Sequence, residues 1–148
     1  MKKTLLIITV LMLIVGFTSG QEPIDGSTLV RKDGLWYTSG SDKPYSGGYL
    51  WHYENGQKHE EGTWKDGKEN GLWTKWLKNG QKYREITYKD GVKDGKYTVW
   101  YVDGEESEET YKDGKYDGKV TGWNENGQKK SEETYKDGEL DGKATGWY

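Results

Sequence analysis

Glycine returns in this chain at an almost fixed interval, and that interval limits the folds open to it. Gly47, Gly71, Gly95, Gly118 and Gly142 stand 24, 24, 23 and 24 residues apart. A period of this size marks a stack of small units, none of which can bury its apolar side without its neighbours. Within the period two kinds of turn dipeptide alternate. Asn55-Gly56, Asn79-Gly80, Asp103-Gly104 and Asn126-Gly127 fall at one phase. Asp66-Gly67, Asp90-Gly91, Asp113-Gly114 and Asp137-Gly138 fall at the other. Such dipeptides supply the positive φ angles of tight hairpin turns, so each unit is expected to hold two strands and two turns.

Between the turns, aromatic residues recur in columns. Trp73, Tyr97, Val120 and Ala144 share one position of the first strand, and Trp76, Trp100, Trp123 and Trp147 another. In the second strand Trp64, Tyr88, Tyr111 and Tyr135 align, each preceded by threonine. Rings at one height on neighbouring strands are expected to form a ladder, each cross-strand pair contributing roughly 0.2–1 kcal/mol. The ladder is needed because only 31% of the residues are hydrophobic, while 32% are charged. A composition this polar permits disorder, but eight Trp and twelve Tyr in register argue against it. No 3.6-residue apolar period follows the first 20 residues, so no helix is expected there.

The formal net charge is −3, or −5 without Lys2 and Lys3. Lys and Glu are interspersed, so there is no clustered basic surface for nucleic acid. The chain has no Cys, which removes disulfides, thiolate chemistry and Cys-ligated zinc.

Residues 1–20 read as a signal peptide: Lys2-Lys3, an apolar run from Leu5 to Val15, then the small patch Thr18-Ser19-Gly20. Export to the periplasm, the cell surface or the medium is the expectation, and an uncleaved leader acting as a membrane anchor is the alternative. Over 21–46 the rhythm is partial, with Ser39-Gly40-Ser41-Asp42-Lys43-Pro44 replacing a regular turn, as in an N-terminal cap or half repeat. Tandem hairpins occupy 47–148, and the last begins as GKATGWY without its second turn. An unpaired last strand offers an edge for self-association or for a partner's strand.

The inventory of reactive side chains points away from catalysis. His52 and His59 are the two histidines, and both read as structural. Ser107 and Ser131 sit at equivalent places with no strand-to-helix elbow to activate them. Glu108-Glu109 and Glu132-Glu133 are strand neighbours, so the members of each pair point to opposite faces and cannot share a substrate. The turn carboxylates near Asp113 and Asp117 are too few for calcium, which takes six to eight oxygens. No cofactor, metal or small-molecule substrate is expected.

The phrase Glu85-Ile86-Thr87-Tyr88-Lys89-Asp90-Gly91 and its equivalents, each followed shortly by the next strand's glycine, resembles the MORN repeat. Asn70-Gly71, Asp94-Gly95, Asp117-Gly118 and Asp141-Gly142 stand where that repeat has His-Gly. With Asn-Gly-Gln-Lys at 55–58, 79–82 and 126–129, this variant resembles the MORN-repeat-variant proteins of bacteria, many described as YwqK-type antitoxins of toxin–antitoxin systems. The resemblance spans about 29–148. It implies an all-β fold, a single elongated antiparallel meander of tandem MORN-like hairpins of 23–24 residues. It also implies a non-catalytic protein-binding scaffold whose partner is a toxin. Short repeats rich in Trp, Tyr and Gly also occur in choline- and glucan-binding modules, so a cell-envelope glycan is the alternative ligand. The candidate binding surface is Trp64, Trp76, Tyr88, Trp100, Tyr111, Trp123, Tyr135 and Trp147.

Overall fold

The computed structural model describes residues 22–147. The leader assigned to 1–20 and Tyr148 lie outside the described residues. Among those described there is no α-helix and none long and apolar enough to cross a membrane; strands dominate. After β1 (Ile24–Asp25) and a 3-10 turn (Gly26–Thr28) come β2 (Leu29–Lys32) and β3 (Leu35–Thr38). The main run is β4 (Gly47–His52), β5 (Lys58–Lys65), β6 (Lys68–Glu69), β7 (Gly71–Trp76), β8 (Lys82–Lys89) and β9 (Val92–Trp100). It continues through β10 (Glu106–Lys112), β11 (Lys115–Trp123), β12 (Lys129–Lys136), β13 (Glu139–Leu140) and β14 (Thr145–Gly146).

Twelve strands form one sheet in the order β1-β4-β5-β7-β8-β9-β10-β11-β12-β13, with β6 beside β5 and β14 beside β12. From β4 onward every pairing is antiparallel and, the short β6 and β13 apart, joins consecutive strands, as the turn dipeptides dictate. Two features correct the expected single antiparallel meander. The sheet is mixed, because β1 runs parallel to β4 through Ile24↔Tyr49 and Asp25↔Leu50. In addition β2 and β3 form a separate two-stranded sheet. No dipeptide marks these features; the irregular stretch from Ser39 to Pro44 frees the first hairpin from the main ladder.

The two turn families differ. In the Asp-Gly turns both residues have positive φ, with Asp66, Asp90, Asp113 and Asp137 between 47° and 52°. That is the two-residue geometry whose twist matches the flanking strands. Each of these turns is also tied sideways: the amides of Gly67, Gly91, Gly114 and Gly138 donate at 2.8 Å to the carbonyls of Tyr45, Glu69, Lys93 and Tyr116. In the Asn-Gly turns only the glycine is left-handed. Gly56 N–H donates to the Tyr53 carbonyl and Tyr53 N–H to the Gln57 carbonyl, while the Asn55 side chain accepts from Gln57 N–H. This is a type I turn closed by a left-handed glycine.

The register explains the one short interval. β4–β5, β7–β8 and β11–β12 slip by one residue at Trp51/His52, Lys75/Trp76 and Gly122/Trp123, leaving His59, Tyr83 and Lys130 as bulge residues. β9–β10 pairs without interruption from Trp100↔Glu106 to Tyr111↔Gly95. The interval from Gly95 to Gly118 is therefore 23 residues because it lacks the bulge residue.

The core lies on one face. Leu29, Tyr45, Tyr49, Trp64, Trp73 and Ile86 are buried, with Ile24, Trp36, Tyr88 and Tyr97 packed against them. Hairpin β2–β3 covers this end: Trp36 meets Trp64 at 5.5 Å between ring centres, and Trp36 N–H donates to the Gly67 carbonyl.

Candidate functional site

Strand alternation and register sort the eight sequence-selected aromatics onto two faces. Trp64, Tyr88, Tyr111 and Tyr135 share the core face with Trp73, Tyr97 and Tyr116. Their rings run Trp36–Trp64–Trp73–Tyr88 and, further along, Tyr97–Tyr111–Tyr116–Tyr135, with centres 4.7–6.4 Å apart. The ladder thus draws on both strand columns. Trp64, 5% exposed, is core rather than an accessible platform.

Trp76, Trp100, Trp123 and Trp147 are on the opposite face, each two residues from Thr74, Thr98, Thr121 or Thr145. None of the four stacks on another ring among the described residues, because they come from alternate strands. Strands are about 4.8 Å apart, so successive indoles are set about 10 Å apart. Polar partners fill the gaps. Trp100 and Trp123 both pair with Glu106, and Trp123 with Lys129. Lys58 Nζ lies 5.3 Å from the Trp76 ring centre and Lys129 Nζ 6.0 Å from that of Trp147.

Beside this row runs a second one, Glu61-Thr74-Glu85-Thr98-Glu108-Thr121-Glu132-Thr145, in which each residue is the cross-strand partner of the next. Each glutamate holds a lysine: Lys58 at 2.5 Å, Lys82 at 2.5 Å, Lys96 at 2.6 Å, and Lys129 at 2.5 Å with Lys119 at 3.3 Å on Glu132. The two lysines hold the Glu132 carboxyl below its ordinary range, Lys129 first. Exposed pairs of this kind contribute about 0–1 kcal/mol each, so the row sets surface character more than stability. Thr74, Thr98 and Thr121 are buried between the long side chains.

The other candidates are absorbed locally. Glu109 accepts from Tyr111 Oη at 2.7 Å on the core face, while Glu108 holds Lys96 on the other. Glu133 accepts from Tyr135 Oη at 2.6 Å, while Glu132 holds its lysines. His59 packs edge-on against Trp51 and Tyr53 with ring centres 4.8 and 4.5 Å away, and His52 is exposed. Asp117 pairs with Lys136 at 3.0 Å. Among the described residues no three His, Asp or Glu side chains are grouped to hold a metal ion.

Sequence reasoning missed one feature: a pocket of about 450 Å³ on the core face, walled by Trp36, Tyr49, Trp64, Trp73 and Tyr88 and by the charged Glu60, Glu69, Lys75 and Arg84. Glu60 is 9% exposed and pairs with Lys75 at 2.6 Å. Burial, then the Glu60 carboxylate, pushes the Tyr49 hydroxyl up to about 12. The available signal was divergence between units. Where later units place Ser107, Ser131 and Gly122, the early ones place Glu60, Arg84 and Lys75.

Comparison of the chain with models of known protein families and with curated proteins finds no match.

Proposed function

We propose that this chain is a non-catalytic scaffold of tandem MORN-like hairpins, exported after loss of its leader, that binds a protein along its tryptophan-bearing face. The observation that carries this reading is the row Trp76, Trp100, Trp123 and Trp147. Among the described residues these four indoles have no aromatic partner and stand on one face between paired lysines and glutamates. Tryptophan is among the residues most enriched in interface hot spots, where a few large rings supply most of the binding free energy, and the paired charges around it resemble a polar rim. The spacing also favours a macromolecule over a quaternary ammonium ion, which needs several rings within about 6 Å of one cation. The resemblance to antitoxins adds the partner's kind: a protein toxin, met outside the cytoplasm.

The test is a chain carrying Trp76→Ala, Trp100→Ala and Trp123→Ala, compared with the parent for capture of the product of a toxin-like reading frame adjacent to its own and for protection of cells expressing that product. The expected result is unchanged strand content by circular dichroism with loss of capture and protection. Equal capture by the variant would overturn the reading. Retention on isolated cell wall that needs the same row and is released by choline or sugar would replace the protein partner with a glycan.

A further inference from the structure

The pocket on the core face has no part in the scaffold reading, which uses the opposite face. Its walls mix three kinds of chemistry. Trp36, Trp51 and Tyr88 give the accessible ring surfaces, backed by the buried rings of Trp64, Trp73 and Tyr49, whose centres lie 4.9–6.0 Å apart. Glu60 and Lys75 neutralise each other at 2.6 Å. Arg84, the cross-strand partner of Lys75, is partly buried and carries no ion pair among the described residues. Three buried side-chain polar atoms among the described residues lack a hydrogen-bond partner, and two belong to this wall: Trp64 Nε1 and Arg84 Nε. Both are donors. Buried donors without partners are few in folded proteins and call for an explanation, and a partly buried guanidinium is stabilised by a carboxylate in its fork.

We infer that this pocket binds an acidic sugar unit, a pyranose bearing a carboxylate, with the carboxylate on Arg84 and the ring against the indoles. The carboxylate meets the free guanidinium. The C–H face of a pyranose matches the aromatic wall. Its hydroxyls both donate and accept, so they serve Glu69 and Glu60 as well as the lysine. A flat aromatic acid would satisfy Arg84 and the rings but would bring Glu69 no donor, and desolvating a carboxylate without one is costly. The volume, about 450 Å³, lies within the range of small-ligand sites. Trp51, 43% exposed, lines the rim, where its ring meets the edge of the bound sugar.

The probes are glucuronate, glucose and benzoate, titrated into the full chain by calorimetry and followed by the indole N–H resonances. The expected result is binding of glucuronate at least about tenfold tighter than of glucose or benzoate, the difference one charge-assisted contact supplies. Resonances of Trp64 and Trp73 should shift while those of Trp100 and Trp123 stay fixed. Arg84→Gln should bring glucuronate down to glucose, with Arg84→Lys recovering part of the preference. Trp51→Ala, at an exposed rim position, should weaken both sugars and leave their ratio unchanged, with circular dichroism checking that the strand content is kept. Trp100→Ala on the other face should change nothing here, so failure of this inference and failure of the scaffold reading are separable. Glucuronate binding no tighter than glucose, equal binding to Arg84→Gln, or benzoate binding as well as glucuronate would overturn it.

Discussion

Between Gly47 and Tyr88 the core face meets the first hairpin and holds indoles and an isoleucine; between Lys93 and Tyr135 the same face carries tyrosines, glutamates and Lys93 with the smaller Val99, Ser107, Val120 and Ser131. The backbone ladder is continuous across both regions, so hydrogen bonding does not distinguish them. Side-chain bulk does. At one first-strand position the residues run Trp73, Tyr97, Val120 and Ala144, and at one second-strand position Gly62, Ile86, Glu109 and Glu133. The early region buries apolar area. The later one joins rings through polar groups: Tyr111 and Tyr135 donate to Glu109 and Glu133, and Lys93 Nζ lies 4.4 Å from the ring centres of both Tyr97 and Tyr111. A sheet can thus be held by a covered core at one end and by cation–π and phenol–carboxylate contacts at the other.

The sharpest way to break this contrast is to remove a ring from each region. Trp73 is 4% exposed, touches Tyr49, Trp64 and Tyr88, and its Nε1 donates to the Thr63 carbonyl. Trp73→Ala should cost about 3–5 kcal/mol in urea unfolding, the usual loss for a large buried ring. Tyr116→Ala in the uncovered region should cost about 1 kcal/mol, mainly the stacking on Tyr111 and Tyr135. Equal losses would mean that the two regions are not held differently.

Two glycines sharpen it further. A Cβ on Gly62 would stand 2.3 Å from the Trp73 ring, and one on Gly122 would stand 3.0 Å from the Ser131 hydroxyl. Neither glycine has positive φ, so space alone decides. Gly62→Ala should cost about 1–3 kcal/mol by overpacking. Gly122→Ala should lie within about 0.5 kcal/mol of the parent, since a surface hydroxyl can turn aside. Thermal melts of the two variants would check the difference.

The hairpins were legible because they are coded locally: each Asp-Gly or Asn-Gly fixes a turn, and period-two alternation fixes what flanks it. Their antiparallel pairing from Gly47 onward follows from those signals. The faces were half legible. Alternation separates Glu108 from Glu109, but which column meets which depends on bulge residues such as Tyr83, and no dipeptide announces a bulge. The parallel pairing of Ile24 with Tyr49 and the placing of Trp36 on Trp64 are long-range contacts with no local code. The pocket depends on them, so Glu60, Lys75 and Arg84 read from sequence as ordinary surface charges.

Alkaline titration probes the covered region through Tyr49. Its hydroxyl is raised to about 12 by burial and by Glu60, against an ordinary value of 10.0. The folded chain therefore keeps this proton after the unfolded chain has lost it. The stability it contributes is complete below about pH 10 and is lost as pH rises to about 12. Tyr49→Phe should flatten that decline in a pH series of urea midpoints. Tyr135→Phe should flatten it less, because its solvent-facing hydroxyl is raised first by the Glu133 carboxylate. A larger effect at Tyr135 would mean that the Glu133 contact outweighs the burial of Tyr49.

The smallest expected effect concerns the missing bulge. The uncovered region contains the one main-run hairpin, β9–β10, that pairs without slipping at the Asn-Gly end. Inserting one residue between Glu106 and Ser107 restores the count of the other hairpins, with the new residue taking the place of Tyr83 or Lys130. Every side chain from Ser107 onward then keeps its face, so stability should change by less than about 0.5 kcal/mol. The same insertion between Glu108 and Glu109 falls between residues that pair in unbroken register with both β9 and β11. It would drive Glu109 and Tyr111 to the wrong face and should unfold at least the strands after β9. Proteolysis and amide exchange across 106–147 would separate these outcomes. If both insertions were equally harmless, a bulge could form anywhere along the strand, and the regular spacing of the glycines would no longer be what holds the two faces apart.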